Sequence, residues 1–359
     1  AFQSPTIQHD LQLFDTVFGL PDPTLNIIQP YGVPTFNIND PNQTGWAGEI
    51  SLDVEWSHAV APGATIDLVE APSNNDQDLY NVTKYAVDHR LGDVISQSFG
   101  EGETCMDPTI LKKQHQLFFQ AALEGISVFA SAGDSGAAQP SCDGNSYFLS
   151  ASTPASDPFV TGVGGTSLTA DLSTGQYQSE TTWNEPSFGA AGGGGFSTIY
   201  AKPFYQYGTA GIGRFRGVPD VAYDAAINGG VLAVFSSSGE GADLIFIFGG
   251  TSSGSPQWAG ITTLAAQKVG HSLGLLNPAL YAISHISSLN SYVFHDVTTG
   301  NNTFAGQDVN GNTVTVQGYD AGKGWDPATG LGSPNVAHLL SLLPSLSAST
   351  QSEISNIAH

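Results

Sequence analysis

The spacing of apolar positions changes repeatedly along the chain, and each change marks a new element. Residues 64–70 (ATIDLVE) and 93–99 (DVISQSF) are short runs rich in apolar and β-branched side chains, which reads as two strands. Between them Leu79, Val82 and Ala86 recur at three- and four-residue intervals, laying one apolar stripe along a helix over 76–89. Asp107 and Pro108 supply the cap and first residue of a helix over 108–124, and 126–132 reads as the next strand. Repeated strand, helix, strand units predict an α/β fold with a mostly parallel central sheet and helices on both faces. From 157 to 248 the runs shorten and glycine becomes frequent, including the consecutive Gly192, Gly193, Gly194 and Gly195. The helical pattern returns from Ser252 to about Val269, a Gly/Asn/Asp-rich stretch covers 294–332, and 346–359 is a polar tail. No Pro/Ser-rich linker interrupts 1–345, so those residues are expected to form one domain.

Composition narrows the setting. With 32 acidic against 9 basic residues the formal charge is −23. Phosphates repel such a chain, which excludes nucleic acid and anionic membrane as partners. Only 11% of residues are charged, less than half of the usual share of about 25%. A surface of Ser, Thr, Asn, Gln and Gly stays solvated when carboxylates protonate and has few ion pairs for acid to break, so the composition favours an acidic milieu. Cys105 and Cys142 fit one disulfide or two free thiols; in a secreted chain the disulfide is expected. No apolar run reaches the ~18 residues that a membrane-spanning helix needs.

Three segments carry candidate chemistry. In open parallel sheets, ligands gather at the carboxyl ends of strands. ASAGDSGA presents Asp134 at such an end. FGGTSSGSP places Ser252 at a helix start, beside free N–H groups and the positive end of the helix dipole. In GEISLDVE, Glu49 and Asp53 stand four apart on a predicted helix and share a face. Each has a local explanation: Ser252 as a helix cap, Asp134 as a turn residue, the two acids as a solvated face. Histidine is the usual base for a serine nucleophile, yet none of the nine, at 9, 58, 89, 115, 271, 285, 295, 338 and 359, lies in a context that suits one. His58 reads as structural, at a helix C-terminus where imidazole satisfies carbonyls. Glu49 and Asp53 are then the remaining acid-base candidates.

Taken together, GEISLDVE, SAGDSGA and GGTSSGSP resemble the sedolisins, or serine-carboxyl peptidases, in order and separation. GGGGFS at 192–197, RGVPDVA at 216–222, HDVTTGNN, and GYDAGKGWDPATGLGSPN extend the resemblance from about residue 4 to about residue 343. It implies a subtilisin-like fold with Ser252 as nucleophile, Glu49 as general base and then acid, Asp53 orienting Glu49, and Asp134 stabilising the oxyanion. A glutamate base with a pKa near ~4 works best around that pH, and Asp134 donates to an oxyanion only when protonated. The resemblance also implies one calcium ion held by Asp296 and Asp326 with the carbonyls of Val297, Gly322 and Gly324, an oxygen-only shell. Family members carry a strand ahead of the helix over 7–18, and the sequence begins after it; Phe99 stands where some members have tryptophan.

The resulting expectation is a secreted, extracellular, acid-active, monomeric endopeptidase, accompanied by a propeptide during maturation. Its peptide substrate would pair along Gly192, Gly193, Gly194 and Gly195 as an added strand. A tripeptidyl-peptidase with the same triad is the nearest alternative, and a non-catalytic calcium-stabilised binding protein on the same scaffold is a more distant one.

Overall fold

The computed structural model describes residues 1–343; the polar tail expected over 346–359 lies outside the described residues. The chain opens with α1 (Ile7–Phe18), closed by Gly19 at a left-handed φ of 70°. It continues through β1 (Thr24–Ile28), α2 (Pro41–Val60), β2 (Thr65–Val69), α3 (Asp76–Asp88), β3 (Val94–Gln97), α4 (Pro108–Leu123) and β4 (Ser127–Ser131). β5 (Thr161–Ala170), β6 (Tyr177–Thr182), β7 (Val221–Asp224), β8 (Val231–Val234) and β9 (Ile245–Phe248) follow, and β9 leads into α5 (Thr251–Val269).

β3, β4, β5 and β7 lie side by side and parallel, with β6 added antiparallel along the far part of β5. β1 and β2 form a separate parallel pair. Between β2 and β3 runs a cavity of about 270 Å³ lined by Ile66, Leu68, Val94 and Ile95 and reaching Asp53 and Glu49. β1 was not expected from the sequence; it is short, half-exposed and paired with β2 alone.

Strand alternation divides the core between two helical layers. Val128 and Ala130 of β4 pack with Leu117 and Phe118 of α4 on one face. Phe129, between them in sequence, turns to the other face and stacks on Trp258 of α5. Fully burying side chains of this size contributes roughly 1.5–3 kcal/mol each. Helices on both faces of a mostly parallel sheet are therefore the observed architecture.

Two local features set the site. Asp40 caps α2 by accepting from Asn42 N–H, with Pro41 at the first helical position. α2 and α5 then pack tightly: a Cβ on Gly260 would lie 2.8 Å from Val60 Cβ, so only glycine permits that approach. Cys105 and Cys142 are joined in a disulfide, the first of the two states that the sequence allows.

Candidate active site

Ser252 is the second residue of α5, entered through Gly250 at φ 107°. Few side chains tolerate that conformation, and a Cβ there would also come within 2.6 Å of Asp134 Oδ2. Glu49 and Asp53 project from the face of α2 that meets the start of α5. Burial drives the pKa of Glu49 well above the ordinary carboxyl value, the Asp53 charge adds to this, and a hydrogen bond with the Ser252 hydroxyl opposes it. Asp53 is raised as well, by burial, against the hydrogen bond donated by Ser98 Oγ at 2.6 Å. Glu49 Oε1 is buried without a hydrogen-bond partner.

Asp134 follows β4 and faces the same helix start. Thr251 N–H and Thr251 Oγ1 both donate to Asp134 Oδ1, each at 2.8 Å. With Oδ1 committed as an acceptor, the proton of the acid form belongs on Oδ2. The carboxyl reaches solvent, yet the protein packed around it removes enough water to raise its pKa against those two bonds. At the start of α5, Thr251 N–H is taken by Asp134 and Ser253 N–H by Gly250 O at 3.0 Å. Among the first three helical donors, Ser252 N–H is left for an oxyanion.

The sequence thus locates four residues that the fold brings together: Ser252, Glu49, Asp53 and Asp134. Two further residues hold them in place and carry no signal of their own in sequence, Thr251 on Asp134 and Ser98 on Asp53. Pro256 is the sixth residue of α5, past its first turn.

Other expectations meet a different geometry. Gly192, Gly193, Gly194 and Gly195 are all buried. Gly192 N–H donates to Trp183 O at 2.9 Å and Gly193 N–H to Gly133 O at 2.7 Å, while Gly195 pairs with Val218. A Cβ on Gly193 would lie 2.0 Å from Ala132 O. The run is a close-packed buttress behind the Gly133–Asp134 turn, and the N–H groups of Gly192 and Gly193 are already taken and cannot donate to a peptide. His58 does sit in the last turn of α2 and is structural, but its ring meets a carboxyl rather than helix carbonyls: it is buried, with Nε2 3.0 Å from Asp15 Oδ1.

The Gly/Asp-rich region does gather its named residues. Gly324 N–H lies 3.1 Å from both Asp296 oxygens, and Gly322 N–H donates to Asp326 Oδ2 at 3.0 Å. Both carboxylates therefore flank the 322–324 turn. No group of three acidic, histidine or cysteine side chains that could hold a metal occurs among the described residues, so an ion here would depend on carbonyl oxygens as well.

A carboxyl pair on one helix stands opposed to a serine at the start of another, above a parallel sheet, in a subtilisin-like architecture. The chain belongs to the Subtilase family, which matches residues 38–355, and within it to the sedolisin branch. It is 37% identical over 340 residues to kumamolisin from Bacillus sp. strain MN-32, covering 92% of this chain and 56% of that protein. Tripeptidyl-peptidase sed4 of Aspergillus fumigatus is 29% identical over 399 residues, covering 94% of this chain and 60% of that protein. The solved Pseudomonas sedolisin, a serine-carboxyl proteinase complexed with two molecules of pseudo-iodotyrostatin, aligns with a TM-score of 0.81 at 31% identity, covering 96% of this chain and 91% of that one. The chain spans a little over half the length of the curated relatives it matches. No helix among the described residues is long and apolar enough to cross a membrane.

Proposed function

We propose that the chain is an acid-active serine-carboxyl endopeptidase. The observation that carries this reading is the base: the side chain presented to the Ser252 hydroxyl is the buried Glu49 carboxyl, and among the described residues no histidine lines the cavity beside it. With Asp53 beside it, the pair holds one proton between its members at a pH where two exposed carboxyls hold none. In that state Glu49 accepts the Ser252 proton as Oγ attacks a peptide carbonyl. The oxyanion receives hydrogen bonds from protonated Asp134 and from Ser252 N–H. Glu49 next protonates the leaving amine, the acyl group remains on Ser252, and water releases it by the reverse sequence.

Two titrations bound the activity. The carboxyl pair must have lost its first proton, which sets the acid limb. Asp134 must keep its own, which sets the alkaline limb, and its raised pKa widens the window upward. A calcium ion at Asp296 and Asp326, completed by the carbonyls of Val297, Gly322 and Gly324, would tie down the glycine-rich loops and take no part in proton transfer. Secretion into an acidic medium, a propeptide during maturation and a monomeric state complete the reading, supported by the sparse charge and the disulfide.

Cleavage of an N-acetylated peptide library across pH, with Ser252→Ala beside the parent, tests this. Internal cleavage in acid that is lost in the variant is expected. Cleavage that survives in Ser252→Ala would remove the nucleophile, and a rate rising steadily to about pH 8 would remove the carboxylate base. Release of tripeptides from free N-termini alone would assign the exopeptidase activity instead.

A further inference from the structure

We propose that Ser98 is a positioning residue that passes its single hydroxyl proton between Asp53 and the backbone carbonyl of Ser252, so that the nucleophile's helix responds to the charge of the carboxyl pair. The proposal rests on the reading of Glu49, Asp53 and Ser252 given above.

Ser98 follows directly on β3 and is 7% exposed. Its Oγ lies 2.6 Å from Asp53 Oδ1 and 3.3 Å from Ser252 O. A hydroxyl has one proton to donate, so it cannot serve both acceptors at once. The second acceptor exists because of Pro256. In a regular helix the N–H four residues on would donate to Ser252 O, and proline has none. Ser98 is therefore placed to serve a carbonyl that has lost its i+4 donor, and it touches the orienting acid with the same atom.

Two hydrogen-bond arrangements follow. When Asp53 Oδ1 is negative, Ser98 donates to it, the shorter and charge-assisted bond. When Oδ1 carries a proton, Asp53 donates to Ser98 Oγ, and the Ser98 proton turns onto Ser252 O. Neither arrangement leaves Asp53 Oδ1 without a partner. The charge on Asp53 also decides whether the carbonyl of the nucleophilic residue is held from β3. The other titratable groups acting on this network are Glu49 on the same helix and Asp134 on the turn after β4.

Removing the hydroxyl takes a donor from ionised Asp53, which favours its protonated form. The reactive, singly charged pair then forms only at higher pH. For Ser98→Ala, kcat is expected to fall about tenfold with KM within about twofold, and the acid limb of kcat to move up by about one pH unit. Ser98→Cys, close in size but a weak donor, is expected to move the limb in the same direction, and it keeps the test available if the alanine variant does not fold. Adding Pro256→Ala to Ser98→Ala restores a backbone donor to Ser252 O and is expected to recover part of kcat while leaving the limb displaced. An acid limb at the parental pH in both single variants would overturn the proposal, because a merely structural serine lowers stability without moving it. If Ser252→Ala is inactive and the limb does not move, the Ser98 proposal alone fails; if Ser252→Ala remains active, the underlying reading fails first.

Discussion

Glu55, two residues beyond Asp53 and so on the side of α2 away from Ser252, offers a test of how the chain is suited to acid. Its side chain is fully buried, and Oε2 accepts from Val234 N–H at 2.8 Å. Burial, with smaller contributions from Asp10 and Asp15, pushes its pKa from 4.5 up to about 9, against the Val234 bond. The folded protein therefore keeps a proton that the unfolded chain releases. Stability from this group is complete below about 4.5 and is lost as pH rises towards about 9. Each pH unit within that range costs ~1.4 kcal/mol, so between about pH 4.5 and about pH 7 the loss is on the order of 3 kcal/mol. Glu55→Gln keeps an acceptor for Val234 and has no proton to lose. Guanidinium unfolding followed by tryptophan fluorescence, with the disulfide intact, measures both proteins at those two pH values. The parent is expected to lose ~3 kcal/mol more than the variant on going to the higher pH. Asp10, Asp15 and His58 face the same interior and are present in both proteins. Equal losses in parent and variant would refute the reasoning.

Other outcomes follow from the site. Asp134→Asn supplies a donor that does not depend on pH, so the alkaline limb of kcat/KM should move upward while the acid limb stays; a profile that only falls in height would count against Asp134 as the oxyanion donor. Chelation of calcium should lower the melting temperature by several degrees, and Asp326→Ala should make the protein insensitive to the chelator; an unchanged melting curve in the parent would remove the ion. Reducing Cys105–Cys142, which closes a loop of 37 residues, should destabilise by roughly 3–4 kcal/mol in guanidinium unfolding, and a smaller change than about 1 kcal/mol would indicate that the loop is already ordered without it.

The sequence makes legible what depends on local periodicity. Helical spacing puts Glu49 and Asp53 on one face, and the double glycine before Ser252 marks a turn into a helix; both hold in the fold. What depends on distant packing is harder to read. The short, half-exposed β1 is defined by its pairing with β2, about forty positions on, and has little pattern of its own. Ser98 and Thr251 resemble any serine and threonine until β3, the turn after β4 and α5 converge. The glycines at 192–195 illustrate the reverse error: a run that looks like an open edge for a peptide is glycine because backbone presses on it from Ala132 and Gly165. For His58 the structural role and the place at the end of α2 are legible, but its partner Asp15, from another helix, is not.

The central claim is that Ser252 carries the acyl group and a carboxyl pair, with no histidine, activates it. A chromogenic ester mixed with the enzyme at steps from about pH 4 to about pH 7, across the range in which the buried pair loses its first proton, gives both a burst of leaving group and, after quenching and digestion, the position of the adduct. The account predicts a burst of one equivalent per chain with the acyl group on Ser252, absent in Ser252→Ala and strongly slowed in Glu49→Gln. An acyl group on another residue, or an undiminished burst in either variant, would contradict it.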